Sequence, residues 1–396
     1  MPNKELLLIP GPTPVTDEVY AALARETMAH TDTRLAALFK EALALTGDMF
    51  HSEGEVYVVA GSGTLAMEMA LTNTVAPGEK LLVVSHGYFG DRFLGVAAAL
   101  GIQAESLSAP PGVRVSPAAV DAALGDGGFK AVAVTHADTS TGVLADVDTL
   151  VPIVKKHGVL FLLDGVCASA AVPEDMSRVY GSPDYRIDLV LTASQKAIGA
   201  PPGLAIVTFG PAALKARAAL PKVGSYYCDI ANWREIMREP SRYFATHPVN
   251  MIYAYHAAMK IIEREGLAAR YARHAGIGVG MRAALTSYGF SLLTAEGNAA
   301  PTLSCFLYPA RLEDISFRAA LKEKKLIVAG LLGALSGKGF RMGHMGNTRE
   351  EEFLQAIAVI GETLRDFGLP ADIDRARENF LASYYAAQAP ARSDTK

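Results

Sequence analysis

Cysteine is scarce in this 396-residue sequence: three in all, Cys167, Cys228 and Cys305, far apart and without metal-type spacing. An odd, scattered set excludes a full disulfide framework and fits a reducing compartment. There is no basic excess. With 37 Lys and Arg against 41 Asp and Glu the formal charge is −4, so no global positive field points to nucleic acid or an anionic membrane. Long apolar runs are missing too. The N-terminal LLLIPGPTPV is too short for a signal sequence and is broken by prolines, and nothing approaches the ~18 apolar residues of a membrane span. No internal repeat is visible. The expectation is a soluble, cytoplasmic globular protein.

What is present is alternation. From about residue 55 to 210, short apolar runs such as EVYVVA, KLLVVS, KAVAV, VLFLLD and IDLVL are each followed by turn signals or helical spacing. Strands this apolar read as buried on both faces, which predicts an α/β fold with a mostly parallel sheet covered by helices. Ser116 followed by Pro117 marks a helix start. After Pro211 the pattern changes. A long helix is predicted over Val249–Glu265, capped by Gly266, and a smaller α+β lobe follows. The expected division is an N-terminal arm over 1–15, a large domain over 16–265, a small domain over 266–380 and a frayed tail over 381–396.

In open α/β sheets ligands gather at the carboxyl ends of the strands. Five such ends carry unusual residues. In VVAGSGTLAMEMA, glycines follow a strand and open a helix. The free N–H groups of that helix start favour a phosphate, with Gly63 allowing close approach and Ser62 and Thr64 adding hydroxyls. The same stretch matches the dinucleotide fingerprint G-x-G-x-x-A. Against that reading, the next strand ends in VVSHG with no acid for a ribose. In HGYFGDRF, Phe89 reads as a core aromatic or as a ring that stacks on a planar ligand. In THADTSTG, the polar run from His136 to Thr141 reads as a capped turn or as ligand contacts, because so many polar groups need partners if buried. Asp164 ends the apolar strand in FLLDG, where a carboxylate must be paired. Lys196 ends the next apolar strand, 32 residues later, in LTASQKAIGAPPG. Alone it reads as a surface charge; desolvated, it becomes a nucleophile for carbonyls. Together these parts match the needs of pyridoxal 5'-phosphate: a phosphate cradle, a stacking ring, a lysine for a Schiff base and an aspartate for the ring nitrogen.

The stretches PGPTPV, GSGTLAMEMA, HADTSTG, LLDGV, ASQKAIGAPPG and FRMGHMGN resemble the class V aminotransferases of fold type I, nearest their alanine/serine–glyoxylate branch, from about Leu6 to Gly368. The resemblance implies a role for each matching residue. Lys196 falls on the Schiff-base lysine and Asp164 on the partner of the pyridine nitrogen. Phe89 takes the stacking position and Thr139 a position near the phenolic oxygen. Ser62, Gly63, Thr64 and Gln195 match phosphate-side positions. Tyr243 and Thr246, in RYFATHPVN, match residues that reach the cofactor phosphate of a partner subunit, so a homodimer with shared active sites is implied. Arg341 matches the arginine that binds the substrate carboxylate, and Gly11 falls among the substrate-binding positions. The implied reaction is a ping-pong transamination between a small amino acid (alanine, serine or aspartate) and a 2-oxo acid such as glyoxylate or pyruvate. No metal is implied. The alternatives are another pyridoxal-phosphate reaction of lyase or desulfurase type, and a nicotinamide oxidoreductase using Gly61–Ala66. The chain departs from the family at GVCASAA after Asp164 and at MAHTDTRLAAL, which in relatives lie near substrate or dimer surfaces and bear on amino-acid preference.

Overall fold

The computed structural model describes residues 5–295 and 297–388. Its centre is a seven-stranded sheet. In spatial order the strands are Glu55–Ala60, Leu204–Phe209, Leu189–Ala193, Leu160–Asp164, Phe129–Thr135, Lys80–Ser85 and Gln103–Ser108. All run parallel except Leu204–Phe209, which is antiparallel to both neighbours. The two strands that end in Asp164 and Ala193 are direct neighbours, and Thr135 pairs in register with Asp164. The strand ends that carry Thr135, Asp164 and the Ser194–Lys196 turn are thereby collected at one edge of the sheet.

The inner strands are buried on both faces, and their alternation divides two cores. Val58, Leu82, Val132 and Phe161 face one layer, filled by the helices Thr33–Met49, Val147–Lys156 and Val249–Glu265. Tyr57, Leu81, Ala131 and Leu162 face the other, filled by the helices Gly63–Thr74, Tyr88–Ala99 and Ile230–Arg238. The period-2 pattern of a strand sends successive side chains to opposite faces, so each strand serves both layers. Gln103–Ser108 is the exception. This edge strand is polar and largely exposed, and it carries no apolar run for a sequence reading to find.

The helix Val249–Glu265 forms with the bounds read from sequence, and Gly266 follows it at φ 78°. The next helix, Leu267–Ser287, leads into a four-stranded antiparallel sheet in the order Ala329–Gly330, Gly339–Gly343, Leu303–Leu307 and Ser291–Leu292. A third core fills this lobe, with Phe306, Phe317, Phe340, Phe353 and Phe380 in it. Leu6 and Leu8 belong to that core, and the strand Leu6–Leu7 pairs with Leu326–Ile327. The N-terminal segment is therefore tied to the smaller lobe by a ladder and by apolar burial. Residues 381–388, expected to belong to a frayed tail, are helical. The helix Ile373–Gln388 runs through 381–388, because Phe380 and Tyr384 keep an apolar face against the third core. Residues 389–396 lie outside the described residues.

Candidate active site

A cavity of about 190 Å³ opens where the strand ends converge. Ser62, Gly63, Thr64, Phe89, Thr139, Asp164, Gln195 and Lys196, all singled out from sequence, line it together. They arrive from five segments of chain, Ser62–Thr64, Phe89, Thr139, Asp164 and Gln195–Lys196, each following a different strand, which is why the constellation spans 135 residues.

At one end lies the start of the helix Gly63–Thr74. Ser62 occupies the N-cap position but spends no side-chain bond on its own helix. The first bond back to the cap is from Ala66 N–H to Ser62 O. The N–H groups of Gly63, Thr64 and Leu65 are the orphan donors every helix start leaves, and Gly63 and Thr64 line the cavity. Gln195 adds a side-chain amide whose oxygen is buried without a partner among the described residues. A half-turn of that amide presents its NH2 instead. Gly63 also fits tightly in the other direction: a Cβ there would lie 2.9 Å from a Val166 methyl.

Asp164 is 2 % exposed. One carboxylate oxygen accepts from Val166 N–H at 3.0 Å and the other from the Thr135 hydroxyl at 3.4 Å. Burial pushes the carboxyl up, and the nearby Asp138 and Glu174 add to this against the pull of the Val166 N–H, so it titrates at about 7. Such a group is short of positive charge. A protonated ring nitrogen next to it would supply that charge and hold the carboxylate ionised. Glu174 itself is buried, with its two oxygens 2.6 Å from His136 Nδ1 and 2.5 Å from Ser169 Oγ.

Lys196 is half-buried, neither the surface charge nor the fully enclosed amine that its sequence neighbourhood leaves open. Its Nζ donates to the Pro10 carbonyl. Thr13 holds the same turn by donating its hydroxyl to the Lys196 carbonyl at 2.8 Å. Gly11, at φ 87°, lies directly against the lysine. A Cβ there would press on Lys196 Cδ and displace the flexible end of that side chain, and the positive φ disfavours any residue but glycine. Gly11 thus shapes the lysine's space.

Phe89 and Thr139 are held by partners that act across the chain. Buried Asp138 accepts from the N–H groups of Phe89 (3.2 Å) and Gly90 (3.1 Å) and from Ser140 (2.8 Å to N). It caps the helix Tyr88–Ala99 from another loop and sets the place of Phe89. The Thr139 hydroxyl meets Cys167 Sγ at 2.7 Å. Arg341, from the smaller sheet, reaches toward this loop. Its Nε donates to Gly330 O at 2.8 Å and its Nη1 to Thr139 O at 3.3 Å. It forms no ion pair among the described residues, and burial lowers its affinity for its proton. A guanidinium paired only with carbonyls, one of them that of the cavity-lining Thr139, suits a carboxylate ligand.

Four expected residues are not in the cavity wall: Gly11 lies against Lys196, Arg341 reaches the Thr139 carbonyl, and two are elsewhere. Tyr243 and Thr246 do not line this cavity; both are exposed, and the Tyr243 ring packs on His30 at 5.2 Å. Asp138 was read only as part of a polar turn, and two further contributors, Arg92 and Arg270, were given no role from sequence. Arg92 lines the cavity beside Phe89. Arg270 is fully buried and bonds both Ala170 O and Ala197 O, joining the loop after Asp164 to the loop after Lys196. Charged residues inside a helix otherwise read as solvated faces, so nothing in the sequence marks these two.

This arrangement was compared with known proteins. The family described as aminotransferase class-V matches residues 15–334. An aminotransferase of Methanocaldococcus jannaschii without an assigned reaction is 33% identical, over 92% of this chain and 94% of its own. The L-aspartate–glyoxylate aminotransferase of Paracoccus denitrificans is 29% identical, over 98% and 99%. Among solved structures, an alanine–glyoxylate aminotransferase from Nostoc sp. superposes with a TM-score of 0.86 at 30% identity, covering 92% of this chain and 96% of that one. The mostly parallel seven-stranded sheet, the strand-end lysine and aspartate and the matched family agree: this chain belongs to the class V aminotransferases and is a transaminase of fold type I.

Proposed function

We propose that this enzyme moves an amino group between a small L-amino acid (alanine, serine or aspartate) and a 2-oxo acid such as glyoxylate or pyruvate, with pyridoxal 5'-phosphate carried on Lys196. The observation that carries the reading is one cavity with Lys196 and Asp164 in its wall and a helix start with free donors at one end. The glyoxylate enzymes among the relatives support the acceptor class. Bound there, the cofactor would act as an electron sink that makes the substrate Cα–H acidic.

The chain's own residues do the rest. Ser62, Gly63, Thr64 and Gln195 would hold the phosphate. Phe89 would cover the ring face, and Thr139 would stand by its oxygen. Asp164 would keep the ring nitrogen protonated. Arg341 would fix the substrate carboxylate and so orient Cα. Lys196 would carry a proton to and from the substrate Cα as general base and acid. The turn held by Thr13 and the space left by Gly11 aim that amine.

Exposed Tyr243 and Thr246 support a second copy of the chain as their destination, where they would complete the partner's phosphate site. A homodimer in the cytoplasm is part of the proposal; three buried free thiols support the reducing compartment. We divide the chain into an N-terminal arm through residue 15, a large domain over 16–265 and a small one over 266–380. A desulfurase would need a mobile exposed thiol, and Cys167, Cys228 and Cys305 are all at most 3 % exposed.

The test is direct. The purified protein should be yellow, and borohydride should fix the cofactor on Lys196, found by peptide mass. A colourless Lys196-intact protein that takes up no added pyridoxal phosphate would refute the reading.

A further inference from the structure

The phosphate cradle built from Ser62, Gly63, Thr64 and Gln195 contains no charged side chain. A phosphate monoester carries about −1.5 to −2 charge at neutral pH. Neutral donors and a helix start offset part of that charge; the helix end amounts to roughly half a unit. Among the described residues that line the cavity, only two are cations, Lys196 and Arg92. Lys196 is committed at the Pro10 side of the cavity. Arg92 stands at the cradle.

Its geometry is specific. Arg92 lies one turn after Phe89 in the helix Tyr88–Ala99. Its Nη1 donates to the Thr64 hydroxyl oxygen at 3.0 Å. A hydroxyl that accepts from a cation has its own hydrogen free to donate elsewhere, and the donation is strengthened by the charge behind it. The guanidinium also lies over the Phe89 ring, 4.8 Å from its centroid, and 5.4 Å from that of Tyr88. No carboxylate pairs with it among the described residues. An unpaired guanidinium that polarises a cradle hydroxyl and rests on the cofactor-facing ring has one partner missing, an anion.

We propose that Arg92 is the cationic member of the phosphate cradle: it charges the Thr64 hydroxyl, contributes the fixed positive charge that retains the phosphate as a dianion, and braces Phe89 in the same contact. This inference rests on the pyridoxal-phosphate reading above. It gives the cavity a charge sequence from end to end, with Asp164 against the ring nitrogen and Arg92 against the phosphate.

The experiment separates charge from bracing by changing the ligand. The full chain, freed of cofactor, is titrated with pyridoxal 5'-phosphate and with pyridoxal, which lacks the phosphate, following the absorbance of the bound chromophore. In Arg92→Gln, affinity for pyridoxal 5'-phosphate should fall about 10- to 100-fold while that for pyridoxal changes less than about twofold. Arg92→Lys should recover part of the loss. Equal losses for both ligands would overturn the proposal and leave Arg92 as a brace for Phe89; no loss for either would also overturn it. A parent protein that binds neither ligand would instead sink the cofactor reading itself. Phosphorus NMR of the bound cofactor is a second readout. The phosphate should stay dianionic to lower pH in the parent than in Arg92→Lys or Arg92→Gln, and coincident titrations would count against the proposal even if Arg92→Gln does not fold.

Discussion

Asp164→Asn should make the cofactor-free protein more stable and the cofactor bind less well. In the folded chain without cofactor, burial first and the charges of Asp138 and Glu174 second raise the Asp164 carboxyl from 3.8 to about 7. In the unfolded chain it titrates near the ordinary aspartate value, about 3.9. A carboxyl raised on folding stabilises the fold below its unfolded pKa, and that contribution is lost as pH rises through the folded one. At pH 8 the folded chain therefore carries an ionised carboxylate at a cost of about 4 kcal/mol. Asparagine is isosteric, keeps an acceptor for the Val166 N–H and has no charge to bury. Urea unfolding of both proteins across pH 5–8.5 isolates the effect. The stability of Asp164→Asn relative to the parent should rise by about 2–3 kcal/mol between pH 5 and pH 8, then level off above the folded pKa. A constant offset from repacking would not change with pH. A difference that stays flat, or that moves toward the parent as pH rises, would refute the argument. Added pyridoxal phosphate should reverse the ranking at pH 8, because its protonated ring nitrogen compensates Asp164 alone.

Arg270→Met should cost about 3–5 kcal/mol in urea denaturation, since it leaves the buried Ala170 and Ala197 carbonyls without a donor and breaks the pair with Glu265; a loss below about 1 kcal/mol would show that Arg270 does not clamp the two loops. Arg341→Ala should raise KM for the amino donor about 10- to 100-fold in steady-state assays with glyoxylate, as expected for losing a charged pair worth about 1.5–3 kcal/mol. The chromophore should stay bound, and its loss instead would mean that Arg341 serves the cofactor.

Much of the site was legible because its chemistry sits at strand ends, and strand ends are local events. Asp164 closes a run of apolar residues and Lys196 follows one within three residues, and a charged residue in such a place stands out without any tertiary knowledge. The helix start at Ser62–Thr64 is legible for the same reason. Gly11 was tied to the substrate by resemblance, yet its contact is with Lys196, 185 residues away, and only the folded chain brings the two together. Asp138 was readable only as part of a polar turn; its carboxylate serves N–H groups 48 and 49 residues earlier.

The sequence by itself determined the layered α/β class, the anion-binding turn, the lysine and aspartate, and the family they resemble, since each depends on periodicity or on a few consecutive residues. Tertiary structure alone decided which strands are neighbours, and so that Asp164 and Lys196 face one cavity. It also decided that Arg270 ties their loops and that Arg92 meets Thr64 from another helix. Pairing across a sheet and packing between helices depend on contacts far apart in the chain, and a charged side chain carries no mark of the partner it will find there.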